Sequence, residues 1–340
     1  MRDCAVDVEI IRDAVELACR APSLHNSQPW RWVLEGTTVQ LYADPRRVVR
    51  STDSSGREAM ISCGAVLDHF RVAMGAAGWT AHVDRFPNPN DPRHLASIDF
   101  SAGTFVTAGH RRRADAILLR RTDRLPFAAP PDWDLFESEV RVSLDTDSVR
   151  FDVIDDGLRP ELAEASDLTE SLRMYDSSYH EELYWWTAGF TTAEGIPQGS
   201  LVSAAESDRV DVGRSFPVVA DSRRRPEIGD DRSKIVVLST FDDTRDSVLR
   251  CGEALSAVLL DATMAGFATC TVTHLMEIPA SRAVVATLSG ADQPQVLVRV
   301  GLAPAITDVP APTPRRPIDE IFEVRGSVRH QGPSTLPAGQ

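Results

Sequence analysis

Three short stretches concentrate side chains that could do chemistry. "APSLHNSQPWRW" (residues 21–32) sets two prolines, two serines, a histidine, an asparagine and a glutamine around two tryptophans. That is more hydrogen-bonding capacity than a turn can use. "RRTDRLPF" groups Arg120, Arg121, Thr122 and Arg124. Guanidinium forks beside a hydroxyl suit a phosphate dianion or an extended polar cofactor, through bidentate charge-assisted bonds. "TPRRPIDE" holds Arg315 and Arg316 between prolines, where a stiff backbone aims both side chains. Each arginine stretch taken alone reads as well as a basic helix end or a solvated linker.

Composition narrows the partners. The chain has 340 residues, 36 Lys and Arg against 50 Asp and Glu, and a formal net charge of -14, which argues against nucleic acid or an anionic membrane. Lys234 is the only lysine, so an arginine counts only inside a pattern. Five cysteines without C-x-x-C spacing suggest neither a disulfide framework nor zinc, and the eight histidines show no metal-ligand spacing. The start is acidic and helical rather than basic and then apolar, and no apolar run is long enough to span a bilayer. A cytoplasmic protein with reduced thiols is expected. Neither G-x-G-x-x-G nor G-x-S-x-G occurs, so Rossmann and hydrolase readings lack support.

The elements that must position these stretches follow from periodicity. Residues 7–20 read as an amphipathic helix, "RWVLEG" and "TTVQLYAD" as a strand pair, 56–77 as a helix, and "TAHVDRF" and "HLASIDF" as strands. A helical restart, "TAGHRRRADAILLRRTDR", carries the first arginine group. Helices around 132–141 and 158–174 flank the strand "VRFDVI", and "DSSYHEELYWWTAGF" looks helical. Residues 191–233 lack periodicity; stretches of that length are usually lids or disordered. Then come the strand "KIVVLST", the helix "SVLRCGEALSAVLLDATMAG", the strand "FATCTVTH", a short helix from Pro279 and the strand "QVLVRVG". An internal echo links the halves: "CGAVLDHFRVAMGAAGW" from Cys63 aligns without a gap with "CGEALSAVLLDATMAGF" from Cys251. Leu67 falls on Leu255, Ala77 on Ala265 and Gly78 on Gly266, which favours duplication.

Together the stretches carry a resemblance. "APSLHNSQPW" is similar to the APS-x-x-N-x-Q-P-W segment of the FMN-dependent nitroreductase family, and "RRTDRLPF" to the R-R-S/T-x-R-x-F segment by which that family holds FMN. "PRRPIDE" resembles its C-terminal phosphate-binding segment, and "MAGFATCTVTH" its helix-to-strand turn beside the flavin ring. The likeness covers about residues 8–325 and is greatest to the Acg-like actinobacterial branch. Family members are homodimers with FMN at the interface. Here each half carries the motif that the other lacks, so the chain looks like a fused dimer: a monomeric pseudo-dimer with one FMN per chain.

The resemblance implies an α+β fold of two half-domains, 1–104 and 105–325, with mixed sheets between helices. The aperiodic stretch and its aromatics leave room for a lid at 175–233, and the last residues, 326–340, read as a disordered tail. The resemblance places Pro22, Ser23, Leu24 and Asn26 along the flavin, with Gln28 bracing the turn. Arg120, Arg121, Thr122 and Arg124 would meet phosphate, ribityl and pyrimidine edge. Thr271, Thr273 and His274 would face the ring, and Arg315 and Arg316 would complete the phosphate site. No side-chain acid or base is demanded, because hydride enters and leaves at the flavin. The expected function is NAD(P)H-dependent hydride transfer through FMN to nitroaromatic or quinone-type acceptors. The alternative is a non-catalytic FMN protein for storage or sensing, with a lid over the site. It is kept open by Tyr184, Trp185, Trp186 and Phe190 and the irregular run after them.

Overall fold

The computed structural model describes residues 6–189, 193–217, 222–306 and 309–326; Cys4, Phe190 and the tail beyond Gly326 lie outside them. Helix α1 (Val8–Ala18) is capped by Asp7, whose carboxylate accepts from the Glu9 N–H at 3.0 Å. The turn Leu24–Asn26 leads into strands β1 (Trp30–Glu35) and β2 (Thr38–Ala43), joined at Gly36 with φ +65°. Helix α2 (Arg57–Ala76) ends before Gly78, whose φ of +88° turns the chain into β3 (Trp79–Arg85) and β4 (His94–Ala102). Next come α3 (Ala108–Leu119), α4 (Trp133–Ser143), β5 (Arg150–Val153), α5 (Arg159–Arg173), α6 (Ser177–Thr187) and the short α7 (Ala204–Ser207). The chain closes with β6 (Lys234–Thr240), α8 (Arg245–Met264), β7 (Ala268–Val272), α9 (Pro279–Ser289), β8 (Gln293–Gly301), α10 (Ile318–Ile321) and β9 (Phe322–Arg325).

Two sheets result, giving the α+β class. The first runs β3-β4-β2-β1-β9, antiparallel except for the parallel pair β1–β9. The second, β5-β6-β8-β7, is antiparallel throughout rather than mixed. Strand β9, inside the range expected for the second half, adds to the first sheet beside Trp32–Glu35. Trp30 and Trp32 close the polar stretch because they are core residues: both are fully buried, and Trp32 packs 4.9 Å from Phe70 of α2. Among the described residues no helix is long and apolar enough to cross a membrane.

The echoed helices meet at their echoed glycines. A Cβ on Gly64 would lie 2.0 Å from the Leu249 carbonyl oxygen, and one on Gly252 would lie 2.1 Å from that of Ile61. Farther along, Ser256 donates to Asp68 at 2.5 Å, across a separation of 188 residues. Gly64 with Gly252 and Ile61 with Leu249 have that same separation, so α2 and α8 pack side by side with like positions facing. Only glycine allows backbones so close.

Two expectations change. The helix expected through Arg124 ends at Leu119, and Arg120 is already extended (φ −58°, ψ 130°). The chain there docks on β7 instead: Thr122 bridges Thr269, and the Asp123 N–H donates to the Thr269 carbonyl at 2.9 Å. The aperiodic stretch 191–233 is, where described, tied down. Glu206 caps α7 and pairs with Arg224 at 2.7 Å, and Arg225 reaches Asp123 at 2.5 Å. Of the α6 aromatics Trp186 is buried, while Tyr184 and Trp185 are exposed.

Gly64→Ala or Gly252→Ala should destabilise the protein by about 1–3 kcal/mol or more, since the helices must part. Gly75→Ala, with open space around its Cβ, should be neutral or slightly stabilising. Denaturant unfolding of the three variants checks this; equal midpoints would remove the close approach.

Candidate functional site

Residues of both sequence halves enclose a cavity of about 960 Å³, including its mouth. Pro22, Ser23, Leu24 and His25 line it from the N-terminal loop, and Glu58, Ile61 and Ser62 from α2. Thr122, Arg124, Leu255 and Cys270–Thr273 line it from the other side. Apolar walls with a few polar groups suit a flat ring system.

The N-terminal loop is built for a purpose other than turning. His25, Asn26 and Gln28 all have positive φ (49°, 58° and 51°). Such positions cost non-glycine residues about 1–3 kcal/mol each and persist only when the surroundings enforce them. The enforcement is visible. Ser23 Oγ accepts from the Gln28 N–H at 3.0 Å, and Ser62 Oγ from the Leu24 N–H at 3.2 Å. Gln28 Nε2 donates to the Ala193 carbonyl at 2.9 Å, and its Oε1 accepts from the Arg316 N–H at 2.9 Å. Asn26 Nδ2 donates to the carbonyls of Gly195 and Pro314. Gln28 thus ties the loop to the backbone at Ala193 and Arg316, and Asn26 lines the adjoining cavity described next.

That second cavity shares Pro22, Ser23, His25, Thr122 and Arg124 with the first, and adds Arg20, Arg120, Arg121 and Arg315. Five guanidinium groups line it, and none of the described residues lining it is a carboxylate. Arg120 and Arg315 are spoken for only by backbone carbonyls. Arg120 donates to Arg20 O at 3.3 Å, and Arg315 to Cys19 O and Arg20 O at 2.8 and 2.9 Å. The buried Nε atoms of Arg20 and Arg120 have no partner among the described residues. Burial, then the Arg20 charge, pushes Arg120 down to about 10. Burial, then Arg120 and Arg20, pushes Arg315 down to about 9. Half-buried like charges without a counterion are costly, so the arrangement suits an anion.

Not every expected residue comes together here. Arg121 lines the basic cavity but is exposed, donating to Pro310 O at 2.8 Å. Thr271 and Thr273 line the first cavity. His274 is buried behind it, its Nε2 2.8 Å from Ser166 Oγ, and burial with Arg214 nearby pushes it down to about 3. Arg316 lines neither cavity: its side chain turns away, Nε lying 3.5 Å from Glu320.

Other residues were missed. Val202, Val210, Arg214 and Phe216, from the aperiodic stretch, form one wall of the first cavity. Arg214 is the fastener: it pairs with Glu277 and donates to the Tyr179 hydroxyl at 2.8 Å. Phe216 sits under the Arg124 guanidinium at 5.0 Å and 6.2 Å from the His25 ring. His25 is buried with neither ring nitrogen partnered among the described residues, and burial with Arg214 and Arg124 nearby holds it neutral. Its place inside the motif was the one available signal. Arg20, at the end of a helix with no arginine pattern, gave none.

No family model matches the chain. A Mycobacterium tuberculosis protein named "Putative NAD(P)H nitroreductase acg" is 69% identical over 326 residues, covering 96% of this chain and 98% of that one. An uncharacterized protein of the same species is 55% identical over 321 residues, 93% of each chain. Among solved structures, the FMN and NADPH-dependent nitroreductase NfnB from sphigopyxis sp. strain HMH matches with a TM-score of 0.40 and 16% identity, over 63% of this chain and 99% of that one. With 69% of residues shared along nearly the whole of both sequences, this chain belongs to the Acg-like branch of the nitroreductase family.

Proposed function

We propose that the protein binds FMN across the two joined cavities and is an NAD(P)H-dependent oxidoreductase for nitroaromatic or quinone-type acceptors. The observation that carries this reading is the carboxylate-free cluster of Arg20, Arg120, Arg121, Arg124 and Arg315 opening into an apolar slot. The orphaned Nε atoms of Arg20 and Arg120 fit a phosphate dianion. Arg120 and Arg315 would hold that phosphate, Thr122 and Arg124 the sugar-alcohol chain, and Pro22–Leu24 with Thr271–Thr273 the ring. Bound there, FMN supplies two-electron hydride chemistry. The chain's own residues bind, orient and exclude water.

One such site per chain fits the packing. Shifting by the separation that relates the two echoed helices, the cavity residues Ile61 and Leu255 correspond to Leu249 and Leu67. Both of these are fully buried in the first core, beside Trp30 and Trp32. The chain thus reads as a fused pair of nitroreductase-like halves that acts as a monomer and has kept one of two equivalent sites. A second reading, FMN binding without turnover, is favoured by the wall 202–216. Its ties through Arg214 to Tyr179 and Glu277 would make it a lid that excludes a nicotinamide.

Anaerobic addition of NADPH to the yellow protein should bleach it, and heat-released flavin should amount to one per chain. Bleaching by dithionite alone would favour the second reading, and colourless protein that takes up no FMN would defeat both. Arg120→Ala and Arg315→Ala should each weaken FMN binding by about ten- to a hundredfold, from one charged hydrogen-bonding partner lost. Their riboflavin affinity should change far less. Arg316→Ala should retain flavin; flavin titrations giving the reverse order would place the phosphate elsewhere.

A further inference from the structure

A hydride carries two electrons and one proton. Each two-electron reduction therefore takes up one more: a quinone becomes a hydroquinone, or a nitro group becomes a nitroso group and water, only when a further proton arrives. A buried site must have a route for it.

One residue lines a cavity on either side. Glu58, in the first turn of α2, lines the inner cavity and also an outer cleft walled by Asp53, Arg57, Arg245, Glu277 and Arg282. It is only 3% exposed. The start of α2 would ordinarily favour its charged form, but Asp53 has taken that place, accepting the Ala59 N–H at 2.8 Å and also bonding the N–H of Glu58. Arg57 is its one close counter-charge, at 3.0 Å, and the same guanidinium nitrogen also serves the Met276 carbonyl. Ser62 Oγ, bonded to the Glu58 carbonyl at 2.7 Å and accepting from the Leu24 N–H, ties this turn to the cavity loop.

We propose that Glu58 is the proton donor of this site, passing its proton into the inner cavity and regaining one from water in the outer cleft. The inference rests on the reading of the site as an oxidoreductase. As hydride reaches the acceptor, the carboxyl O–H bond breaks and an O–H bond forms on the acceptor oxygen. Glu58 is left as a carboxylate beside Arg57, and water in the cleft returns the proton.

The charged and titratable groups around Glu58 support the protonated resting form. Burial pushes its carboxyl up to about 8; Arg57 and Arg214 oppose this, while Asp53 and Glu277 add to it. Cys251, on the facing helix α8, is itself held neutral by burial. A donor of this kind is loaded at neutral pH and empties as pH rises through about 8.

Glu58→Gln keeps the shape and removes the proton. It should retain flavin, lower kcat with a quinone acceptor at least tenfold with a much smaller change in KM, and lose the fall in kcat near pH 8. Infrared difference spectra of the wild type between pH 6.5 and 9.5 should show a protonated-carboxyl band that is absent from the variant. An unchanged kcat and pH profile in Glu58→Gln, or a carboxyl band that survives in it, overturns the proposal. A wild type that carries flavin but is not bleached by NADPH fails the oxidoreductase reading instead. The infrared band then still decides whether Glu58 holds a proton, and its absence overturns the proposal independently.

Discussion

The structure depends on the contact between Gly64 and Gly252. Two helices that approach until a Cβ would strike the opposite backbone are fixed in separation and register, because nothing compressible lies between them. Everything that lines the cavities is referred to this pair. Ile61 and Ser62 from α2 and Leu255 from α8 form the floor. The loop at 22–26 is hung on α2 through Ser62, and the arginine stretch is hung on β7, which follows α8. A substitution that pried the helices apart would also open the seam where the site lies.

Charge is distributed against the average. A chain of net charge -14 keeps carboxylates beside most of its arginines: Arg299 with Asp231, Arg214 with Glu277, Arg224 with Glu206 and Arg85 with Glu253. The basic cavity has no carboxylate among the described residues that line it. Crowding the half-buried Arg20, Arg120 and Arg315 together without a carboxylate costs stability, and the arrangement suits an anion. The strained backbone at His25, Asn26 and Gln28 acts in the same direction. Stability forgone in both places is organisation already in place when a ligand arrives.

The covering wall shows how an aperiodic sequence becomes ordered. Residues 202–216 have no amphipathic repeat to drive them onto a core. They are held by point attachments, Arg214 to Glu277 and Tyr179, Glu206 to Arg224, and Phe216 beneath Arg124. Val212 adds a fully buried core contact, and Arg159 to Asp211 and Arg209 to the carbonyls of Arg224, Arg225 and Ile228 add further ties.

By itself the sequence determined the elements whose burial is periodic. Helices α1, α2 and α8 fall within two residues of their periodicity, and the hairpin and sheet strands follow the apolar runs. It also determined the motif loop, because the polar residues at 22–28 exceed what a turn can satisfy, and the family, because those residues are specific. Tertiary structure decided the rest. Arg120–Arg124 are extended because Thr269 offers backbone hydrogen bonds that a further helical turn cannot match. Of the neighbours Arg315 and Arg316, only the first faces the basic cavity, since successive residues of an extended chain point to opposite sides. Arg20, Glu58, and the pair Arg214 and Phe216 join the site from three distant stretches without any local pattern. Their roles exist only in the cavity, and a cavity is a property of packed surfaces that no linear spacing encodes.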